Sequence, residues 1–334
     1  MPNISVYLST VGIYHIEGYC TFGDCKDEIE IQLLDCNGGV LYSVTATATP
    51  RQDICKFFES TAAYEFMFKG YFCGWVNAIK FVGGNMSNTI AINFGSTRQY
   101  EFLCAHNDDF MFKFLEGHHG FIGNLGGAVE YYINDAIESA GKLQELCSGY
   151  FKKPQKLKLL EFASGYGRVT RQINRERFDI TSCDIHEGAI KYVKKNIKVN
   201  TILSSTNPDE FTCGGGYDVV FALSFFTHMP DRTFGKWIKC LYEQLAPGGL
   251  LIFTAHGRIA NAKHWNYKLK NGYAFYAESE QGDLETSDYG TTVTLKEYID
   301  RVCEEYINNV PCECREGFFH VETQDVYVVQ KNIV

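Results

Sequence analysis

The 334-residue sequence lacks any run of 18 or so apolar residues, the length a helix needs to cross a bilayer. It also lacks a leader pattern, because residues 1–14 mix polar side chains into short apolar pieces. No membrane span is expected, and a cytoplasmic location is. Lys and Arg form no cluster, and 31 of them against 40 Asp and Glu leave a net charge of −9. A sequence-independent nucleic-acid footprint needs a basic face, so nucleic acid is not an expected partner. The 13 cysteines include no CxxC pair and no paired framework, which reads as reduced thiols. His15, Cys20, Cys25 and Cys36 have no zinc-knuckle spacing and read as small buried groups, so no metal is expected. No internal repeat and no low-complexity tract is present.

What remains is an ordinary folded chain, 45% apolar and 21% charged, rich in Phe and Tyr, and too long for one core. Residues 1–95 read as a β-rich domain. Short strands at 4–8, 12–19, 28–34, 40–45, 64–68, 76–81 and 89–94 alternate with Gly/Asn turns such as Asn37-Gly38-Gly39, a spacing that suggests a sandwich. No chemical constellation stands out there, and packing, oligomerisation or glycan contact is its expected use. Residues 96–124 read as an irregular connector.

From 125 to 334 the periodicity changes. Val129, Tyr132, Ile133, Ala136, Ile137, Ala140 and Leu143 recur at three- and four-residue steps, as on one helix face. Strands and helices then alternate. Residues 157–162, 178–183, 219–223 and 250–254 are apolar runs, and a helix is expected from 168 to 175. Asp184 with Glu187, and Thr294 with Glu297, have capping-box spacing ahead of two helices. Phe234, Trp237, Ile238, Leu241 and Leu245 form a helical stripe stopped by Pro247-Gly248-Gly249, and 318–330 resembles a terminal strand pair. The alternation predicts an α/β fold with a Rossmann-like, doubly wound, mostly parallel sheet.

The stretch Leu159-Leu160-Glu161-Phe162-Ala163-Ser164-Gly165-Tyr166-Gly167 runs an apolar strand into a carboxylate and then into a small-residue turn. It resembles the first motif of class I S-adenosylmethionine-dependent methyltransferases, with Ala163 where the family has its first glycine. That resemblance implies that Glu161, Ala163, Gly165 and Gly167 surround the methionine end of the cofactor. It also implies that Asp184 accepts the ribose hydroxyls and that Ser204 and Ser205 lie at the adenine. Residues 218–223 and 245–253 resemble the family's fourth strand and the junction before its fifth. A nicotinamide-dependent oxidoreductase is the competing reading, because Asp184 also suits a dinucleotide ribose, but Gly165-x-Gly167-x-x-Thr170 lacks the third small residue of that fingerprint. A non-catalytic cofactor-binding protein is the other alternative.

Methyl transfer to a hydroxyl needs a proton acceptor. His228 and His256 follow the fourth and fifth strands, where such folds hold ligands, and both are candidates. His256 is preferred because Gly257 leaves room for close approach. An insertion at about 257–293 carries Tyr276, Glu278, Glu280 and Asp283, read as acceptor-binding groups on a lid. The fuller pattern, with Phe225-Phe226-Thr227-His228-Met229-Pro230, Thr254-Ala255-His256-Gly257 and Gln324-Asp325-Val326-Tyr327, resembles methyltransferases associated with bacterial surface-glycan synthesis. The implied acceptor is a sugar hydroxyl on a glycan or sugar precursor. A non-sugar small molecule or a protein stays open as an alternative.

Overall fold

The computed structural model describes residues 5–11, 15–21, 28–49, 52–57, 62–70, 72, 76–83, 86–91, 104–106, 108–118, 125–152, 155–279 and 281–333. The chain divides into two compact units between Ile133 and Asn134.

The N-terminal unit is an antiparallel sheet of β1 (Ser5–Val11), β2 (His15–Thr21), β3 (Glu28–Leu34), β4 (Val40–Thr49), β5 (Ala63–Gly70), β6 (Ala78–Gly83), β7 (Met86–Ala91) and β8 (Cys104–Ala105). These follow the path β1-β2-β5-β4-β3-β6-β7, with β8 beside β5. Alternate residues of β2, β3 and β6 are buried, as a one-sided sheet requires. Most of β4 pairs with β3, while Ala48 and Thr49 pair with β5, so this strand joins two halves. The connector is less irregular than the sequence suggests. It holds α2 (Phe110–Gly117), after a short α1 (Gln52–Phe57) earlier in the unit. Asp109 caps α2 by accepting from the Phe112 N–H at 3.2 Å, and Phe112 and Leu115 are buried.

Helix α3 (Leu125–Tyr150) carries the expected stripe except at Ile137, which is exposed. In the second unit Ala136, Ala140, Leu143 and Leu146 of α3 cover one face of a sheet of order β11-β10-β9-β12-β13. Its strands are β9 (Leu157–Phe162), β10 (Phe178–Asp184), β11 (Asn200–Leu203), β12 (Tyr217–Ala222) and β13 (Leu245–His256), all parallel. β9 and β12 are buried on both faces, which explains their uninterrupted apolar runs.

Between 168 and 175 only a 3₁₀ turn forms, at Thr170–Gln172. Asn174 ends it, because its Oδ1 accepts from the N–H groups of Glu176 and Arg177 at 2.9 and 3.3 Å. α4 (Glu187–Tyr192) runs into a π-helical turn, Val193–Ile197. Its N-cap is His186, not Asp184, whose carboxylate is turned to other donors. α5 (Asp231–Glu243) buries Phe234, Trp237, Ile238 and Leu241 on the second face, each contributing about 2 kcal/mol.

The insertion opens with α6 (Arg258–Ala260) and a π-helical turn, Asn261–Trp265, then forms a hairpin of β14 (Tyr273–Tyr276) and β15 (Thr291–Thr294). β15 pairs with β13 only at His256–Val293 and takes the place beyond the end of β12, where the Thr292 N–H donates to the Thr227 carbonyl at 2.7 Å. α7 (Lys296–Ile307) is capped at Leu295 without a side-chain bond, so the box expected from Thr294 does not form. β16 (Glu313–Phe319) and β17 (Gln324–Gln330) pair with each other, and β17 runs antiparallel to β13. Among the described residues no disulfide forms, and no helix is long and apolar enough to cross a membrane.

Candidate active site

The carboxyl ends of β9, β10, β12 and β13 meet at one edge of the sheet, the ligand side of such folds. β9 delivers Glu161 and Phe162 into a turn in which Ala163, Gly165 and Gly167 are all left-handed, with φ of 58°, 54° and 75°. The turn is tied to β10. The Ser164 N–H donates to the Cys183 carbonyl at 3.0 Å, and the Ser164 and Ser182 hydroxyls lie 2.6 Å apart. The two glycines serve different needs. A Cβ on Gly165 would meet nothing within 4 Å, so that stretch of backbone faces open room. A Cβ on Gly167 would collide with Ile197 Cδ1, so this glycine is demanded by packing.

Glu161 is 4% exposed, and its Oε2 has no hydrogen-bond partner among the described residues. Burial pushes its carboxyl up to about 7, opposed by the Thr170 hydroxyl beside it and by the charge of Arg168, while Asp184 adds to the rise. Asp184 ends β10 and is buried. Its Oδ2 accepts from the Gly165 N–H at 2.7 Å, and its Oδ1 accepts from the His186 N–H at 2.9 Å and faces His186 Nδ1 at 2.8 Å. A carboxylate offers about four acceptor sites, so one on Oδ2 remains for a ligand hydroxyl. The Ser204 N–H donates to the Asp184 carbonyl at 2.8 Å, whereas the Ser205 hydroxyl accepts from the Asn207 N–H at 3.1 Å. Gly165, Asp184 and Ser204 thus lie on one string of hydrogen bonds.

His228 is buried. Its Nδ1–H donates to the Gly290 carbonyl at 2.8 Å, and its ring stacks on Tyr289 at 4.2 Å. These contacts fasten the loop after β12 to the insertion. Nδ1 of His256 lies 3.3 Å from the Thr292 carbonyl, and the ring packs on Trp265. Burial, reinforced by the charge of His228, pushes His256 down to about 3, which makes it a weak proton acceptor. The room expected beside Gly257 is filled, since a Cβ there would collide with the Asp325 carboxylate. Asp325 accepts from the Gly317 N–H at 2.8 Å, and burial raises it to about 6.

Tyr276 is exposed and stacks on Tyr267 with ring centroids 3.7 Å apart. Glu278 is exposed, and its carbonyl accepts from the Thr291 hydroxyl at 2.8 Å. Asp283 reaches back to the cofactor strand, its Oδ2 lying 3.1 Å from His186 Nε2. The Asp184 hydrogen bond, with both carboxylates nearby, raises the His186 imidazole above its ordinary value against the opposing effect of burial. Glu280 lies outside the described residues.

A polar cluster that sequence reasoning missed occupies the same edge: Asp135, Arg168, Ser224, His320 and Gln324. Arg168 directly follows the glycine turn and Gln324 opens a quoted motif, but Asp135 and His320 carry no local signal. Their meeting depends on pairing across 185 residues.

Residues 160–251 match a family described as a methyltransferase domain. Among curated proteins, the chain is 24% identical over 168 residues to malonyl-[acyl-carrier protein] O-methyltransferase of Priestia megaterium, covering 49% of this chain and 57% of that protein. It is 22% identical over 219 residues to glycine N-methyltransferase of Rattus norvegicus, covering 58% and 71%. The chain therefore spans little more than half the length of the Priestia protein. Similar solved structures include a S-adenosylmethionine-dependent methyltransferase from Clostridium acetobutylicum, with a TM-score of 0.43, 11% identity and coverage of 59% and 92%. Another is the Burkholderia thailandensis 1,6-didemethyltoxoflavin-N1-methyltransferase, with a TM-score of 0.44, 12% identity and coverage of 73% and 95%. Residues 160–251 are thus similar to a methyltransferase domain, and S-adenosylmethionine is the expected cofactor. The match favours the methyltransferase reading over the nicotinamide alternative.

Proposed function

We propose that the protein is an S-adenosylmethionine-dependent methyltransferase whose acceptor is a sugar hydroxyl on a glycan or sugar precursor. The observation that carries the cofactor assignment is the buried, unpartnered Oε2 of Glu161 beneath a left-handed turn with open room at Gly165. A buried carboxylate with one oxygen unsatisfied and only the Thr170 hydroxyl beside it is costly, and a cationic ligand relieves that cost. When bound, the cofactor supplies a methyl group on a cationic sulfur as the electrophile. In this reading Glu161, Ala163, Gly165 and Gly167 hold its methionine end, Asp184 accepts a ribose hydroxyl at the open position of Oδ2, and Ser204 and Ser205 border the adenine.

The sugar reading draws support from the insertion, where exposed Tyr276 stacks on half-buried Tyr267 and offers an apolar face, and Glu278 and Asp283 offer carboxylates to hydroxyls; Glu280 is proposed beside them from the sequence alone. The names of the two relatives favour a second reading, in which a small carboxylic acid or an amine is methylated. The N-terminal unit is read as a sandwich-like module serving oligomerisation or glycan contact. Support comes from Phe66 of β5 meeting Phe81 of β6 at 5.3 Å across the two halves joined by β4.

Calorimetry with S-adenosylmethionine and S-adenosylhomocysteine should give one-to-one binding, and no affinity for either would overturn the assignment. Methyl-labelled cofactor offered with nucleotide sugars, oligosaccharides, small carboxylic acids, amines and peptides should label the sugars. Label confined to the acids or amines would select the second reading.

A further inference from the structure

Ser224 is the second residue beyond the end of β12 and stands in the left-handed region at φ 60°. Its N–H donates to Thr254 Oγ1 at 2.8 Å, which fixes that backbone. The Ser224 hydroxyl lies 3.0 Å from His320 Nε2, and His320 Nδ1 lies 2.9 and 3.0 Å from the two oxygens of Asp135 on α3. Arg168 Nη1 donates to the same carboxylate at 2.5 Å. Burial opposes ionisation of Asp135, but the bonds from His320 and Arg168 prevail and hold its carboxyl below the ordinary range.

An ionised Asp135 fixes one end of this chain. It only accepts, so His320 carries a hydrogen on Nδ1, and the neutral imidazole then presents a lone pair at Nε2. The Ser224 hydroxyl has two acceptors within reach for its one hydrogen, His320 Nε2 at 3.0 Å and Gln324 Oε1 at 3.1 Å, and the shorter contact directs it to Nε2. Gln324 Nε2 donates to Ser224 Oγ at 2.9 Å, while Gln324 Oε1 accepts from Thr254 Oγ1 at 2.6 Å. One lone pair of Ser224 Oγ is left over, on a residue that keeps part of its surface exposed.

Two features argue against a purely structural cluster. Left-handed backbone at residues with side chains costs about 1–3 kcal/mol each, and it occurs here at Ser224 and at His320, Val321 and Glu322 in succession. The strain is concentrated where the serine and histidine meet. The second feature is position. β12 pairs with β9 up to Ala222–Phe162, so Ser224 emerges beside the Glu161–Gly167 turn, and Arg168 of that turn is itself bonded to Asp135.

We propose that Ser224 and His320, with Asp135 as the positioning residue, form the proton relay that takes the proton from the methyl acceptor. Resting on the methyltransferase reading, this assigns the proton-accepting role to His320 in place of His256 or His228. As the acceptor is methylated, its X–H bond breaks and its bond to the methyl carbon forms, while the carbon–sulfur electron pair stays with sulfur. The acceptor proton passes to Ser224 Oγ as the serine's own proton passes to His320 Nε2. The imidazolium lies against Asp135 and returns its proton to solvent after the product leaves. The charged and titratable groups facing His320 are Asp135, Arg168 and, from the end of β13, His256.

A fluorophosphonate probe tests the relay without an identified acceptor, since it labels a serine whose proton a histidine can take, with loss of fluoride. Applied to the full chain, it should modify Ser224. His320→Gln should slow labelling about 100- to 10,000-fold, while adenosyl binding by calorimetry stays within twofold. Asp135→Asn should slow it as well, by disturbing the histidine tautomer. Asp135→Ala is avoided, because it would leave Arg168 and His320 buried without their partner. An unlabelled Ser224 in wild-type protein that binds S-adenosylmethionine would overturn the relay alone, as would labelling unaffected by His320→Gln. Labelled Ser224 in a chain that binds neither adenosyl ligand would instead sink the methyltransferase reading.

Discussion

The two halves of the ligand edge satisfy their buried polar groups in opposite ways. At β12, β13 and β17, Ser224, Thr254, Gln324, His320, Asp135 and Arg168 are each paired within the protein. At β9 and β10, Glu161 is left with an unpartnered oxygen and a raised affinity for a proton, and Asp184 keeps one acceptor position in reserve. Paired groups are held ready before any ligand arrives, whereas an orphaned carboxylate gains only when a ligand does. In the proposed reading, the first half moves a proton and the second recognises a cation.

Removing Asp184 should break the β9–β10 half most severely. Asp184→Ala takes away the acceptor for the Gly165 N–H, the partner of His186, and the proposed ribose contact. Hydrogen bonds to a charged group are worth about 1.5–3 kcal/mol each, so adenosyl affinity should fall by roughly 30- to 100-fold. Calorimetry on the folded variant measures this, and affinity within twofold of wild type would show that the ribose lies elsewhere.

A smaller effect should come from Glu161, and its sign depends on pH. In the ligand-free protein the carboxyl sits near 7, above its ordinary value of 4.5, so the protonated form is favoured by folding. Its contribution to stability is full below about 4.5 and is lost as pH rises through 7. A bound cation reverses the preference. Cofactor affinity should therefore weaken about tenfold per unit as pH falls below 7, with up to one proton released per ligand bound. Titrations in two buffers of different ionisation heat would count that proton. Glu161→Gln should abolish the linkage and cost about tenfold in affinity at pH 8. A Gln variant that retains the pH slope would place the proton on another group.

Much of the β9–β10 half was legible in the sequence because its parts are local. An apolar strand, a carboxylate and a small-residue turn occupy consecutive positions, and the next acidic residue closes the following strand. The β12–β17 half was not legible, because Asp135, Ser224 and His320 are joined only by tertiary pairing, and no spacing in the chain encodes it. The two histidines that did stand out follow apolar strands, but local position says nothing of burial. One proves to be a tie to Gly290, and the other is held neutral far below its ordinary range. The capping box at Asp184 failed for a related reason, since a stronger demand from the Gly165 amide claimed the carboxylate. The fold itself was carried by periodicity, which changes from alternating burial in β2, β3 and β6 to nearly continuous burial in β9 and β12.

The smallest change tests whether the open half is kept slightly strained. Ala163 holds φ 58°, a conformation that costs an L-residue roughly 1–2 kcal/mol and glycine almost nothing. Glycine at this position would relieve that cost but bring a more flexible unfolded chain, which takes back about 0.4–1 kcal/mol. Ala163→Gly should therefore stabilise the protein by up to about 1 kcal/mol, raising the melting temperature by a few degrees at most. The alanine methyl is partly buried against Phe162 and its neighbours in the core below the turn, so its loss offsets some of the gain. Adenosyl affinity should remain within about twofold, because the Gly165 amide, Asp184 and Glu161 keep their places. If Ala163→Gly lowered the melting temperature while tightening cofactor binding, the methyl group would be obstructing the ligand, and the departure from glycine would act on binding, not on backbone strain.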